Sequence, residues 1–176
     1  MLFRSTRFIG SALKAGKVAI VVATASHRES LLPRLQAYEL DMGKAIEEGR
    51  YIALDAADGL SQFVLNGVPD PVRFMTLFGN LILKAAKAAK SEHPRVVICG
   101  EGVHLLWAQG NAEAAIQVEK LCNQLGKIHD VDVLCGYSPG NVEIAMDEHI
   151  FQQICSEHSA VSSFLRSDGF RCLSIT

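Results

Sequence analysis

In the stretch Arg95–Trp107 an acid, Glu101, stands between Gly100 and Gly102, where an apolar run gives way to a helical pattern. A carboxylate there can order water, a metal or a ligand hydroxyl, and the flanking glycines let the backbone approach a ligand closely. The plain alternative is that Glu101 caps the next helix or pairs with a basic neighbour. Thr24, His27 and Arg28 follow a second apolar run and supply a hydroxyl, an imidazole and a guanidinium. Arg28 at a helix start is a natural anion partner, although turn, cap and solvated first-turn roles account for the same three residues. Asp55 and Tyr137 end two further apolar runs, and either reads equally as a loop residue or a buried hydroxyl. If the four runs are parallel strands, all six residues share the carboxyl edge of one sheet, where open α/β sheets bind ligands.

Several other chemistries fail on spacing. Gly10–Lys17 resembles a phosphate loop, but it has five residues between the glycines, Val18 in place of Ser/Thr, and a strand after it instead of before. Gly100-Glu-Gly102-Val-His-Leu105 has Leu105 where a dinucleotide fingerprint needs its third glycine, and no acid stands at a strand end about 20 residues on. His129, His149 and His158 show no metal-ligand spacing. There is no nucleophile elbow and no H-E-x-x-H. The five cysteines (99, 122, 135, 155, 172) contain no C-x-x-C, so they read as reduced, small core residues, with no metal site expected.

The elements that must hold the six residues follow from periodicity and punctuation. Residues 3–15 predict an amphipathic helix with Phe8, Ile9, Ala12 and Leu13 on one face and Gly16 at its end. Lys17–Thr24 is a β-branched run and a buried strand. Ser26-His-Arg-Glu29 predicts a capping box opening a helix, with Pro33 kinking or restarting it. Asp41 caps a short helix closed by Gly49, and Tyr51–Asp55 is the next strand. A helix then carries Leu60, Phe63 and Val64 to Gly67. Asp70-Pro71 opens the clearest helix, striped by Phe74, Leu77, Phe78, Leu81, Ile82 and Ala85. Arg95–Cys99 is a strand followed by a helix, and Asn111 caps another helix through Leu125. Val131–Tyr137 is the last core strand, and Asn141–His158 a final helix. Phe170–Ile175 reads equally as an edge strand or a loose tail. Alternating strands and helices predict a three-layer α/β sandwich around a mostly parallel sheet.

With 176 residues, 49% hydrophobic and 20% charged, the chain is globular and of one-domain length. A net charge of −2 with mixed signs presents no basic face for nucleic acid. The longest apolar run, Val18–Ala25, falls far short of the roughly 20 residues of a membrane span. No secretory signal pattern opens the chain, so a cytoplasmic location is expected.

Taken in order, Val18-Ala-Ile-Val-Val-Ala-Thr24-Ala-Ser-His27-Arg28, Glu48-Gly-Arg-Tyr-Ile-Ala-Leu-Asp55, Arg95-Val-Val-Ile-Cys-Gly-Glu101, Glu119-Lys-Leu-Cys-Asn123, Leu134-Cys-Gly-Tyr137 and Cys155-Ser-Glu-His158 resemble the MEDS domain, the methanogen/methylotroph DcmR-type sensory domain. The likeness spans about residues 3–162. It implies a sensory domain over residues 1–162, with 163–176 as a C-terminal tail or edge strand. It also implies a RecA/KaiC-like fold without a functional P-loop. In that family a strand and turn precede the first helix seen here and correspond to the phosphate-loop strand of the ATPases. Whether by truncation or natural loss, the chain begins at the helix, and ATP hydrolysis is not expected.

The resemblance therefore implies a non-enzymatic signal-input domain of bacterial or archaeal signal transduction, without a cofactor, feeding a histidine kinase or a transcription regulator. Thr24, His27, Arg28, Asp55, Glu101 and Tyr137 are the expected ligand contacts for an unidentified small molecule or protein partner. Two rivals from other classes are a residual nucleotide-binding or ATPase-like enzyme, supported by Glu101, and a structural module that forms a homo-oligomer.

Overall fold

In a computed structural model, strand β1 (Val18–Ala23) pairs in parallel with β2 (Tyr51–Asp55) on one side and β5 (Val96–Gly100) on the other. β5 pairs in parallel with β6 (Val131–Gly136). The residues described are 2–90, 95–137, 152–153, 156, 160–166 and 169–175. All six β1 residues are buried, as a strand covered on both faces requires. Alternation sends Val18, Ile20 and Val22 into one core and Ala19, Val21 and Ala23 into another. On the second face lie α1 (Leu2–Lys14), α2 (Ala25–Gln36) and α3 (Met42–Glu47), whose Ile9, Leu13, Leu31, Leu35 and Met42 fill that core. On the first face lie α4 (Ala56–Phe63), α5 (Pro71–Ala86), α6 (Gly102–Ala108) and α7 (Ala112–Ile128). The three-layer α/β sandwich expected from the alternation is the observed architecture.

Local chemistry sets most boundaries. Gly16 and Gly49 end their segments at φ +75° and +69°, a region that favours glycine. Asp41 caps α3 through Lys44 N at 2.9 Å. Asp70 caps α5 through Val72 N and Arg73 N at 2.9 and 3.0 Å, with Pro71 in the first turn. Asn111 caps α7 through Ala114 N at 3.1 Å. Phe63, Phe74 and Phe78 meet with centroids 4.7–6.1 Å apart, fixing α4 on α5.

Three local expectations change. The N-cap of α2 is Thr24, not Ser26, and its side chain does not cap because it bonds Glu101 instead. Of the two readings of Pro33, the restart is not seen: α2 runs as one helix to Gln36 with Pro33 inside it. Val64 is not helical: a two-stranded antiparallel hairpin, β3 (Val64–Leu65) with β4 (Val68–Pro69), turns at Asn66 and Gly67, both at positive φ. Asn-Gly suits a tight hairpin turn that matches strand twist, and it wins over the helical pattern before it.

Beyond β6, β7 (Ala160–Arg166) pairs antiparallel with β8 (Gly169–Ile175). β8 pairs antiparallel with β6, so the six-stranded order is β2-β1-β5-β6-β8-β7. The stretch 170–175 is thus an inner strand of the sheet, and β7 was not anticipated. The helix expected over 141–158 lies largely outside the described residues.

Candidate functional site

After β1 the chain turns onto the face of α2 and α3 and returns as β2. After β5 it turns onto the opposite face through α6 and α7 and returns as β6. β1 and β5 are neighbours whose connections leave in opposite directions. This is the switch point at which open sheets leave a crevice at their carboxyl ends. The residues there are Thr24 with His27, and Glu101.

Glu101 is 7% exposed and is anchored by its own N–H, which donates to Val22 O at 2.9 Å. Its Oε2 accepts from Thr24 N at 2.9 Å and from Thr24 Oγ1 at 3.3 Å. Its Oε1 is paired with His27 Nδ1. Ser26 Oγ extends the chain of hydroxyls, 3.4 Å from Thr24 Oγ1. Burial alone would raise the Glu101 carboxyl, but the His27 and Thr24 hydrogen bonds outweigh it and hold the group below the ordinary carboxylate range. A carboxylate at Nδ1 keeps a proton on that nitrogen and leaves Nε2 as the ring's second functional atom. Nε2 is buried and has no hydrogen-bond partner among the described residues. Half-buried His104 on α6 also feels this carboxylate: burial pushes its imidazole down, and the Glu101 charge opposes that.

Arg28 and Asp55 form the next group along the same edge. Arg28 Nη1 donates to Asp55 Oδ2 at 2.8 Å and to Ala23 O at 2.6 Å. Asp55 Oδ1 caps α4 by accepting from Ala57 N at 2.9 Å and Asp58 N at 3.3 Å. The Arg28 guanidinium and the Asp58 and Ala57 backbone hold the Asp55 carboxyl below its usual range. Arg28 and Asp55 thus tie the ends of β1 and β2 together.

Under Glu101, between the sheet and α4–α7, lies an apolar cavity of about 50 Å³. Gly100 and Gly102 form part of its wall on either side of Glu101, with Val22, Gly59, Phe74 and Cys135 among the other lining residues. A cavity needs roughly 10–15 Å³ of such volume to hold one water, and an engineered cavity of about 150 Å³ takes up benzene. This one therefore has room for a molecule of a few heavy atoms.

Tyr137 is not part of the Glu101 group. Its ring packs edge-on to Trp107, with centroids 6.0 Å apart, and its hydroxyl donates to Glu119 Oε1 on α7. Burial, then the Glu119 charge, pushes the Tyr137 hydroxyl well up. Glu119, fully buried, also accepts from Cys135 Sγ at 3.2 Å.

A family model for MEDS, the MEthanogen/methylotroph, DcmR Sensory domain, matches residues 3–158. The chain belongs to the MEDS family. Comparison with curated proteins and with solved structures finds no match. In this MEDS chain the fold brings together five of the six residues singled out by sequence, in two linked groups at one sheet edge, and sets Tyr137 apart. Two features were not read from the sequence. Glu119 was given no role of its own, yet Glu119 and Cys122 lie one turn apart on one helix face, and Cys135 and Tyr137, two residues apart at the end of β6, meet the same carboxylate. The cavity has no local signal at all, because residues from seven elements line it.

Proposed function

We propose that this MEDS domain is a non-enzymatic signal-input module that takes up a small apolar molecule in the cavity beneath Glu101. The observation that carries the reading is a juxtaposition: Gly100 and Gly102 line the cavity, and the residue between them is hydrogen-bonded to Thr24 and His27 across the switch point. A guest pressing on that wall displaces the Glu101 backbone, and with it the β1–α2 turn. Differential affinity for the two arrangements then shifts their populations. Arg28 and Asp55 hold the β1 and β2 ends as a rigid frame. The relation to RecA/KaiC ATPases, the bacterial or archaeal kinase or regulator that receives the signal, a cytoplasmic setting and self-association belong to this same proposal.

A thermal-shift screen tests it, using methanol, dichloromethane, chloroform, benzene, ADP and Mg-ATP. A guest at 100 times its dissociation constant adds about 2.7 kcal/mol, which moves the midpoint of a chain this size by roughly 5–10 °C. The expected result is stabilisation by dichloromethane and chloroform, and none by methanol, whose hydroxyl would be buried unpaired, by benzene or by nucleotides. Stabilisation by Mg-ATP alone, lost in Glu101→Ala, overturns the reading in favour of a residual nucleotide site.

A further inference from the structure

Away from the Glu101 pair, α7 and β6 bring three metal-ligand types to one buried point. Glu119 is 0% exposed, Cys122 9% and Cys135 3%, and one ligand atom of each lies within 4.8 Å of the other two. Cys135 Sγ is 3.2 Å from Glu119 Oε2, and the thiols of Cys122 and Cys135 are hydrogen-bonded to each other. Tyr137 donates to the other carboxylate oxygen, Oε1, which fixes the rotation of the carboxylate and aims Oε2 at the thiols. Metal sites commonly orient a ligating carboxylate with such an outer hydrogen bond.

We propose that Glu119, Cys122 and Cys135 form a binding site for a thiophilic divalent cation of the zinc class, with Tyr137 as the residue that positions the carboxylate. Zn–S distances of about 2.3 Å and Zn–O of about 2.1 Å put tetrahedral ligand atoms roughly 3.6–3.8 Å apart. Cys135 Sγ and Glu119 Oε2, at 3.2 Å, need only open slightly, and the remaining separations, all within 4.8 Å, need close only modestly. Two sulfurs and one oxygen favour zinc over magnesium or calcium, which take all-oxygen shells. Three protein ligands leave the fourth tetrahedral position open. Cys122 and Cys135 both line the apolar cavity, so that position is available to a guest held there. The ion replaces the two thiol protons, which leave to solvent. Binding therefore releases protons and tightens as pH rises. The metal site stands on its own donor set and does not depend on the sensory reading.

The test is titration of the reduced, chelator-treated full chain with Co²⁺, followed by displacement with Zn²⁺. The expected result is one equivalent of Co²⁺ with a thiolate-to-cobalt charge-transfer band, removed by Zn²⁺ and untouched by excess Mg²⁺. Cys122→Ala and Cys135→Ala each abolish the band, Cys99→Ala keeps it, and Tyr137→Phe weakens affinity about 10–100-fold at unchanged stoichiometry. Because the buried variants can fail to fold, Cys155→Ala/Cys172→Ala is measured alongside and keeps the band. X-ray absorption on the zinc form of that variant finds two sulfurs in the shell. No band in the wild type, a band lost in Cys155→Ala/Cys172→Ala, or a shell without sulfur overturns the proposal.

Discussion

His27 and Glu101, 74 residues apart in the chain, meet through Nδ1 and Oε1 between the carboxyl ends of β1 and β5. Two connections that leave the sheet on opposite faces are thereby joined at one side-chain pair, and Thr24 supports the same carboxylate from its N–H and its hydroxyl. Hydrogen bonds to a buried carboxylate are worth about 1.5–3 kcal/mol each when a partner is removed. Glu101→Gln keeps the shape and loses the charge. We expect it to lower stability by about 1–3 kcal/mol in urea unfolding at pH 7.

The acid limb of the stability curve carries the same signature. The folded Glu101 carboxyl sits below its ordinary 4.5, so its contribution is full above that value and is lost as pH falls through the lower folded one. Unfolding measured from pH 6 to pH 3 shows a fall below about pH 4.5 in the wild type, and Glu101→Gln flattens it.

The alkaline limb belongs to a different residue. Burial pushes the Cys99 thiol from 9.0 to about 12. A group raised in this way leaves stability unchanged below 9, then costs stability as the unfolded thiol ionises and the folded one does not. At 1.36 kcal/mol per unit this approaches about 4 kcal/mol by pH 12. Tyr51, likewise pushed up to about 12 from 10.0, adds to the loss above pH 10. Cys99→Ala makes the loss of stability above pH 9 shallower in a circular dichroism titration, while Cys135, raised from the same value by its Cys122 hydrogen bond and burial, keeps its own share.

Asn111 does two jobs that one substitution separates. Its Oδ1 caps α7, and its Nδ2 donates to Gly67 O at 2.7 Å, seating the β3–β4 hairpin on that helix start. Asn111→Ala loses both and costs about 1–2 kcal/mol, whereas Asn111→Asp keeps the cap and loses only the hairpin contact. Hydrogen exchange distinguishes them: protection at Val64–Val68 falls in both variants, and protection at the start of α7 falls only in Asn111→Ala.

The sequence carried the frame well because its signals are local. The apolar runs at Val18–Ala23 and Val96–Cys99 admit few readings other than buried strands, and Asp70-Pro71 and Asn111 are punctuation with a mechanism. Asn66-Gly67 was equally local, but the apolar pattern of Leu60, Phe63 and Val64 before it reads as a continuing helix. At Thr24 the cap competed with a residue 77 positions away, Glu101, and the long-range bond won. Glu119 and Tyr137 illustrate the rest. A carboxylate on an amphipathic helix reads as solvated unless one knows that a strand will bury it and a phenol will meet it.

The central claim is tested most directly at Gly59. It lies inside α4 on the cavity wall, and a Cβ there meets Val22 Cγ1 at 3.6 Å, an ordinary contact. Gly59→Ala therefore takes up cavity space while adding about 0.5–1 kcal/mol through helix propensity. Dichloromethane is titrated against both proteins with the thermal midpoint as readout. The account predicts that the variant starts higher and responds weakly, while the wild type climbs by roughly 5–10 °C at saturation. An equal climb in both, or none in the wild type, would contradict it.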